Sequence, residues 1–241
     1  MNSPPPGLEF DLNGERLIAC RDGSLWWPAA RLLVVTDLHL EKGSWYGSRT
    51  AQALPPYDTR ATLASLRRAI EATRPAIVVC LGDSFHDADA EARIAAEDAA
   101  TIVDLTGRVE DWLWIVGNHD PRPPRQWGGS VSHELALGRV VFRHEALRAP
   151  LLDVAGEISG HYHPVAALTV RGRGLRRRCF ATDGKRLILP SYGAYTGGLN
   201  ARDPAIASLF APGYDVLALG SASIHRLPSA ILRPDARAAS I

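Results

Sequence analysis

The chain has 241 residues, of which 46% are hydrophobic and 22% charged, and this ordinary globular composition excludes a wholly disordered protein. The 27 basic and 26 acidic residues give a net charge of +1, which excludes nucleic-acid binding through a uniformly basic surface. No apolar run reaches the roughly 18 residues of a membrane-spanning helix, and the Pro-rich start lacks signal-peptide features, so we expect a cytoplasmic protein without membrane association.

The first third of the chain predicts short strands and then a strand–helix–strand unit. The turn pairs Asn13-Gly14 and Asp22-Gly23 separate short strands at 8–10, 16–19 and 25–26. An apolar, β-branched run predicts a buried strand over 31–36, and a similar run predicts another over 77–81. Between them, apolar residues at helical spacing predict a helix from Asp58 to Thr73, which Pro75 ends.

The rest of the chain predicts one more helix and then strands only. The helix covers about 88–105, and the strands lie at 112–116, 140–143, 154–158, 166–170, 178–181, 186–189, 214–219 and 222–227. This order favours sheets covered by helices in a single α/β domain. We expect that domain at 8–232, with a disordered N-terminus at 1–7 and a flexible tail at 233–241.

Five of the predicted strands run directly into side chains that can bind metals. Because ligands of α/β sheets gather at the carboxyl ends of strands, we expect these side chains to lie together. A lone histidine is more often structural, but the joint pattern predicts a site. The residues, in chain order, are Asp37, His39, Asp83, Asn118, His119, His144, His161 and His163.

The types of these side chains restrict the chemistry. No cysteine belongs to the set, which excludes a structural zinc–thiolate site and an iron–sulfur cluster. Mixed imidazole and carboxylate ligands suit Mn, Fe or Zn. The set is too large for one ion with an open position, whereas two ions that share a bridging carboxylate would fit and would clamp a phosphoryl group.

The motifs D-x-H, G-D, G-N-H-D, a strand-ending histidine and G-H-x-H follow one another from Asp37 to His163. In this order they resemble the calcineurin-like metallophosphoesterases, which implies an αββα fold, a β-sandwich flanked by helices. The resemblance also implies in-line attack on phosphorus by a metal-bridging hydroxide, with His119 as the acid or as a stabiliser of the transition state. It implies a first metal on Asp37, His39 and His163, a bridging Asp83, and a second metal on Asn118, His144 and His161.

One motif departs from the family pattern. Phosphomonoesterase members often read G-D-x-x-D-R-G, but here the stretch is G-D-S-F-H-D over 82–87. His86 replaces the carboxylate that would orient the acid, which weakens a protein-phosphatase interpretation. Asp87 is then a candidate to orient His119. His86 itself is either a substrate contact or a structural residue.

A narrower resemblance lies in L-G-D-S-F-H-D at 81–87 and L-P-S-Y-G-A-Y-T-G-G-L-N-A-R-D-P at 189–204. Both stretches resemble the DNA-ligase-associated metallophosphoesterases, the PdeM group. This implies a DNA endonuclease that uses two divalent ions, manganese first, with iron or zinc as alternatives. It also implies a DNA-damage response shared with an ATP-dependent ligase, a helicase and an exonuclease. The sequence itself does not fix the strandedness of the DNA, and we expect single-stranded DNA as the substrate.

Several side chains could either contact DNA or have an ordinary structural role, and the sequence does not choose between these interpretations. Arg122 and Arg125 could steer a phosphate backbone or be loop charges, and Tyr192 could stack on a base or pack in the core. The arginine-rich stretch 171–178 could bind phosphate or be a solvated turn. The alternative functions are a phosphatase or pyrophosphohydrolase for a nucleotide or other small phosphoester, and a non-catalytic scaffold. The complete ligand set argues against the scaffold.

Overall fold

The computed structural model describes residues 7–49, 57–123, 126–149 and 155–235. The predicted disordered N-terminus and flexible tail lie almost wholly outside these residues and stay predictions. At their inner edges, Gly7 begins the first strand and the backbone N–H of Arg233 donates to the Ala167 carbonyl. Arg125 also lies outside the described residues.

The first sheet has seven strands whose spatial order follows the chain. The first four strands form an antiparallel meander, and the fourth to the seventh pair in parallel. The strands are β1 (Gly7–Leu12), β2 (Glu15–Cys20), β3 (Leu25–Trp27), β4 (Leu32–Val35), β5 (Ile77–Leu81), β6 (Asp111–Ile115) and β7 (Ser130–Ser132). Because β4, β5 and β6 are parallel, their carboxyl ends share one edge.

Helices occupy the crossovers between the parallel strands. The longest has the bounds that the sequence predicts, and it ends where Arg74 adopts a left-handed conformation (φ 49°) and donates its N–H to the Ile70 carbonyl. The helix predicted over 88–105 is in fact two, because Ile94 and Ala95 are extended. The helices are α1 (Lys42–Arg49), α2 (Asp58–Thr73), α3 (Ala90–Arg93), α4 (Ala96–Thr106) and α5 (Pro204–Ala207).

The second sheet has nine strands. They are β8 (Glu134–Leu137), β9 (Val140–Arg143), β10 (Gly156–Ser159), β11 (Pro164–Val170), β12 (Arg173–Thr182), β13 (Arg186–Ile188), β14 (Leu199–Asn200), β15 (Asp215–Leu219) and β16 (Ile224–Pro228), followed by a 3₁₀ turn at Ser229–Ile231. The order is β14-β11-β12-β13-β10-β9-β8, with β15 between β12 and β16. Strand β10 is parallel to both neighbours, so β9 and β10 also end at a common edge.

The two sheets pack face to face, and the sequence of β4 shows how. Leu32 and Val34 belong to the core between the sheets, whereas Leu33 and Val35 belong to the core under α2 and α4. Burial on both faces explains why this strand is apolar at every position. A third core, which includes Ile206 of α5, covers the outer face of the second sheet. These layers confirm the predicted αββα architecture.

None of the helices in the described ranges combines the length and the apolar character that crossing a bilayer requires.

Candidate metal centre

A first group of donor atoms lies where the loop after β4 meets the loop after β10. The metal-binding atoms of Asp37, His39 and His163 all lie within 4.8 Å of one another. His163 Nε2 is 3.2 Å from Asp37 Oδ1 and 3.4 Å from His39 Nε2. Asp37 is fully buried, with 0% of its surface exposed. The sequence placed these residues together, and the structure does so too.

A second group lies beside the first, where β5, β6, β9 and β10 end. The donor atoms of Asp83, His144 and His161 lie within 4.8 Å of one another. His144 Nε2 is the centre of this group. It lies 3.0 Å from Asn118 Oδ1, 3.2 Å from His161 Nδ1 and 3.4 Å from Asp83 Oδ2.

The hydrogen bonds around this group fit a cation. His144 Nδ1 lies 2.8 Å from the Leu81 carbonyl, so a neutral ring that donates its proton there turns a lone pair on Nε2 toward its neighbours. The facing atoms of Asn118 and Asp83 are acceptors as well. Asp83 and His144 are buried, and acceptors that face one another there without a donor are costly, so the cluster favours a positive charge at its centre, either a proton on His144 or a metal ion. A divalent ion satisfies all of them, so the residues fit the metal that the motifs predict.

Unsatisfied atoms mark the first group in the same way. Asp37 Oδ1 and His39 Nδ1 are buried and make no hydrogen bond of acceptable geometry within the described residues. Burial and the nearby Asp37 charge act in opposite directions on His39, and burial prevails, so its pKa falls to about 3. A neutral imidazole beside a carboxylate is the state in which both bind a metal.

The charges of the second group are strongly coupled. Burial alone would lower the pKa of His144, but its hydrogen bond to Asp83 and the charges of Asp37 and Asp83 raise it to about 9. Burial would raise the pKa of Asp83, yet His144 lowers it to about 2. The carboxylates therefore stabilise positive charge at this point of the structure.

Five of the predicted ligands have a left-handed backbone. Their φ angles are 52° at Asp37, 44° at His39, 47° at Asp83, 70° at His161 and 47° at His163. For a residue other than glycine this conformation costs on the order of 1–2 kcal/mol. Such strain persists only where the surroundings hold it, and it concentrates at functional sites.

Two glycines let the loops approach the donor atoms. A Cβ on Gly117 would overlap Asp83 Oδ1, and a Cβ on Gly160 would overlap Thr36 Oγ1. Any side chain at these two positions would push the ligand loops apart.

Asp120 anchors the ligand loops, a role that the sequence analysis did not assign. Its Oδ1 accepts the backbone N–H groups of Asp83 (2.9 Å) and Gly117 (3.1 Å). Its Oδ2 accepts those of Ser84 (2.8 Å) and Phe85 (3.1 Å). Burial raises the pKa of this carboxyl to about 7, against the effect of these donors. The residue closes the Gly-Asn-His-Asp turn, which was the available signal.

His119 lies at the exposed rim of the site. Its backbone N–H donates to Asp83 Oδ1 at 2.9 Å, and its Nδ1 lies 2.9 Å from the carbonyl oxygen of His86. The expectation that Asp87 orients His119 needs correction. Asp87 instead forms a two-point ion pair with Arg93, at 2.5 and 3.1 Å, and the His86 carbonyl makes the contact to His119.

The predicted substrate contacts Tyr192, Arg122 and His86 lie in different environments, from the protein core to the surface. Tyr192 is only 4% exposed, and its hydroxyl donates to Asp22 and lies 3.1 Å from the Ser65 hydroxyl, so of the two roles that the sequence left open the structure shows packing in the core and not base stacking. Its ring belongs to the core, and its backbone N–H donates to the Thr36 carbonyl beside the ligand loop. Arg122 is exposed and lines a surface cavity of about 540 Å³. His86 packs its ring against those of His39 and His119.

The arginine-rich stretch forms the hairpin between β11 and β12, with its turn at Arg171 and Gly172. Arg176 pairs with Asp235 at 2.6 Å, and Arg178 turns inward to the Ser191 and Asp22 carbonyls. These two arginines therefore have partners within the protein.

Comparisons with known proteins give one matching family and several similar structures. Residues 30–220 match the calcineurin-like phosphoesterase family. A nuclease, MPE from Pseudomonas putida, superposes with a TM-score of 0.70 at 28% identity, over 92% of this chain and 100% of that one. YfcE, a phosphoesterase from E. coli, gives 0.41 at 16% identity, over 81% and 97% of the two chains. A predicted phosphoesterase from Streptococcus pneumoniae gives 0.35 at 14%, over 82% and 96%. A comparison with curated proteins gives no match.

Proposed function

The chain belongs to the calcineurin-like phosphoesterase family, and from this premise we propose that it is an endonuclease that hydrolyses phosphodiester bonds in single-stranded DNA. The family supports a phosphoester hydrolase that binds divalent metals. The observation that carries the proposal is the meeting of two groups of donor atoms at one edge of the sheets. The likeness to a nuclease over that protein's whole length favours a nucleic acid as substrate.

We assign the ligands as the motifs suggest. Asp83, whose carboxylate lies with His144 and His161, would serve both ions, with Asp37, His39 and His163 holding the first and Asn118, His144 and His161 holding the second. Divalent ions bound there would supply Lewis-acid activation of water and of the phosphoryl group. Manganese is the proposed metal, with iron or zinc as alternatives, because the mixed imidazole and carboxylate set accepts all three.

The chain's own residues would position and protonate the substrate. The His86 carbonyl fixes the ring of His119 through Nδ1, which leaves Nε2 as the atom that can meet a substrate oxygen. We propose that His119 donates a proton to the leaving oxygen or stabilises charge on the phosphoryl group. Arg122, two residues beyond the Gly-Asn-His-Asp turn, would attract the DNA backbone.

We further propose that the protein acts in the cytoplasm, in a DNA-damage response with an ATP-dependent ligase, a helicase and an exonuclease. The support for these partners is the resemblance of the stretches at 81–87 and 189–204 to ligase-associated metallophosphoesterases.

The decisive test is cleavage of circular single-stranded DNA, which only an endonuclease can open. We expect the protein to linearise circles in the presence of manganese. We expect Asp83→Asn to lose at least about 100-fold in rate, because this carboxylate would serve both metals. Asp111→Asn is the matched control, since Asp111 is exposed and begins β6 at the opposite end of the sheet.

Two results would contradict the proposal. One is intact circles under conditions that cleave bis-p-nitrophenyl phosphate. The other is a strong preference for the p-nitrophenyl monoester over the diester, which would favour the small-molecule phosphatase.

A further inference from the structure

An array of aromatic rings leads from the metal centre to helix α1. The ring of His86 stacks on that of His119, with centroids 5.3 Å apart and planes inclined by 19°. The ring of Tyr46 lies 6.4 Å from that of His86 and is inclined to it by 21°. Trp45 meets both Tyr46 and His86 edge to face, at 5.1 and 5.0 Å. The ring of His86 is thus close to parallel with that of Tyr46 and with that of His119.

The outer members of this array are partly open to solvent. Trp45 and Tyr46 are half-buried, whereas His86, between them and His119, is buried. Large aromatic faces that remain partly exposed beside a catalytic site can bind another flat ring. Unpaired nucleobases are such rings.

Helix α1 is fixed in place by buried carboxylates, although its sequence favours a helix only weakly. Asp58 accepts the Gly43 backbone N–H at 2.8 Å. Glu41 accepts the hydroxyls of Ser44 (2.6 Å) and Thr59 (2.8 Å). Both acids are buried, with 7% of Glu41 and 4% of Asp58 exposed. These contacts hold the aromatic side chains of α1 in a set position beside the site.

Lys42 begins α1 and adds a positive charge at the same place. Its backbone N–H donates to the carbonyl of the predicted ligand His39 at 3.3 Å, which places the start of α1 beside the metal centre. Lys42 is half-buried, and none of the described residues forms an ion pair or a side-chain hydrogen bond with its amino group. The Asp58 carboxylate, whose charge acts on Lys42, accepts the Gly43 backbone N–H. A half-buried ammonium that has no acceptor among the described residues fits a phosphate oxygen.

We propose that α1 binds the nucleotides next to the scissile phosphate, with Trp45 and Tyr46 stacking on unpaired bases and Lys42 contacting a backbone phosphate. The inference rests on the proposed function and deepens it, because a base within a duplex is already stacked and cannot reach these rings. The site would therefore select single strands.

The stacking part is tested by binding without catalysis. Fluorescence anisotropy in EDTA compares an oligothymidylate with an abasic strand of equal length. Since stacking contributes about 1–3 kcal/mol per base, Trp45→Ala and Tyr46→Ala should each weaken oligothymidylate binding about 5- to 150-fold. The abasic strand should bind all variants alike, and Trp45→Phe, which keeps a ring, should restore most of the affinity. Equal binding of oligothymidylate by wild type and both alanine variants would overturn the stacking role.

The two lysines of the chain provide a matched pair for the phosphate contact. Lys185 directly precedes β13, which runs parallel to β10. Because the metal centre lies at the carboxyl end of β10, Lys185 lies at the opposite end of the sheet. Lys42→Ala should reduce the slope of log K against log salt by about 0.7, the value for one phosphate of a single strand. Lys185→Ala should leave the slope unchanged. Equal slopes for the two variants would overturn the contact.

These outcomes separate the inference from the function beneath it. A wild-type protein that binds no oligonucleotide would contradict the proposed nuclease. A wild-type protein that binds single strands, with no effect of the α1 variants, contradicts only the role of α1. Thermal melting of each variant should stay within a few degrees of wild type, because the altered side chains are partly exposed.

Discussion

Replacement of Asp120 should uncouple the ligand loops from one another. Its two carboxylate oxygens accept four backbone N–H groups, three from residues 83–85 and one from Gly117. Only 2% of the residue is exposed, so water does not replace the lost acceptor without a rearrangement. Asp120→Ala leaves all of these donors without a partner.

The expected magnitude follows from those contacts. A hydrogen bond contributes roughly 0.5–1.5 kcal/mol to a neutral acceptor and roughly 1.5–3 kcal/mol to a charged one, but the four bonds share one carboxyl group and the loops relax, so they do not add fully. We expect Asp120→Ala to lower the free energy of unfolding by about 3–5 kcal/mol. Asp120→Asn keeps one acceptor oxygen and turns an NH₂ group toward two of the donors. Asp120→Asn should therefore lower the free energy of unfolding by about 2–3 kcal/mol.

Urea unfolding of the metal-free protein measures this effect, and metal analysis after gel filtration measures retention of the ions. Both variants should also lose metal, because Asp83 donates its backbone N–H to Asp120. Asp111→Ala is the control, an exposed aspartate on the adjoining strand. If Asp120→Ala unfolds within about 0.5 kcal/mol of this control, the anchoring role is wrong.

The remaining predictions concern the same centre and its surroundings. Gly160→Ala should abolish metal retention and lower the melting temperature, because the added Cβ would overlap Thr36. Gly47→Ala is the control, since a Cβ there meets nothing within 4 Å, and equal metal contents of the two variants would contradict the packing argument. Asp87→Asn should leave the rate of diester hydrolysis within about threefold of wild type, because Asp87 pairs with Arg93 and not with His119; a loss of 100-fold would restore its predicted role. Manganese at 100 times its dissociation constant should stabilise the folded protein by about 2.7 kcal/mol, read as a rise in melting temperature that EDTA reverses; no shift would contradict the metal site.

The sequence was informative wherever hydrophobic periodicity is strong. The bounds of α2 and β5 agree with the prediction because both elements bury a regular apolar pattern. Helix α1 was not predicted, since Gly43 and Gly47 weaken a helix by about 1 kcal/mol each and tertiary contacts to buried acids compensate. Strands β7 and β8 were also missed, because they are short and only partly buried.

The candidate site was also predictable from the sequence only in part. The meeting of the predicted ligands was visible in the sequence because each follows a strand, and parallel strands end together. The contact between His119 and the His86 carbonyl was not visible, because a backbone acceptor has no residue type. The burial of Tyr192 depends on Asp22 and Ser65, which are distant in the chain.

The left-handed backbone of the ligand residues has a consequence for transplanting such a centre into another protein. Aspartate, asparagine and histidine are, after glycine, the residues that accept this conformation most readily. Metal affinity and backbone conformation therefore favour the same residue types at Asp37, His39, Asp83, His161 and His163. A design that copies only the side chains onto ordinary strand ends would point them in other directions. The unit to be grafted is the strand together with its turn.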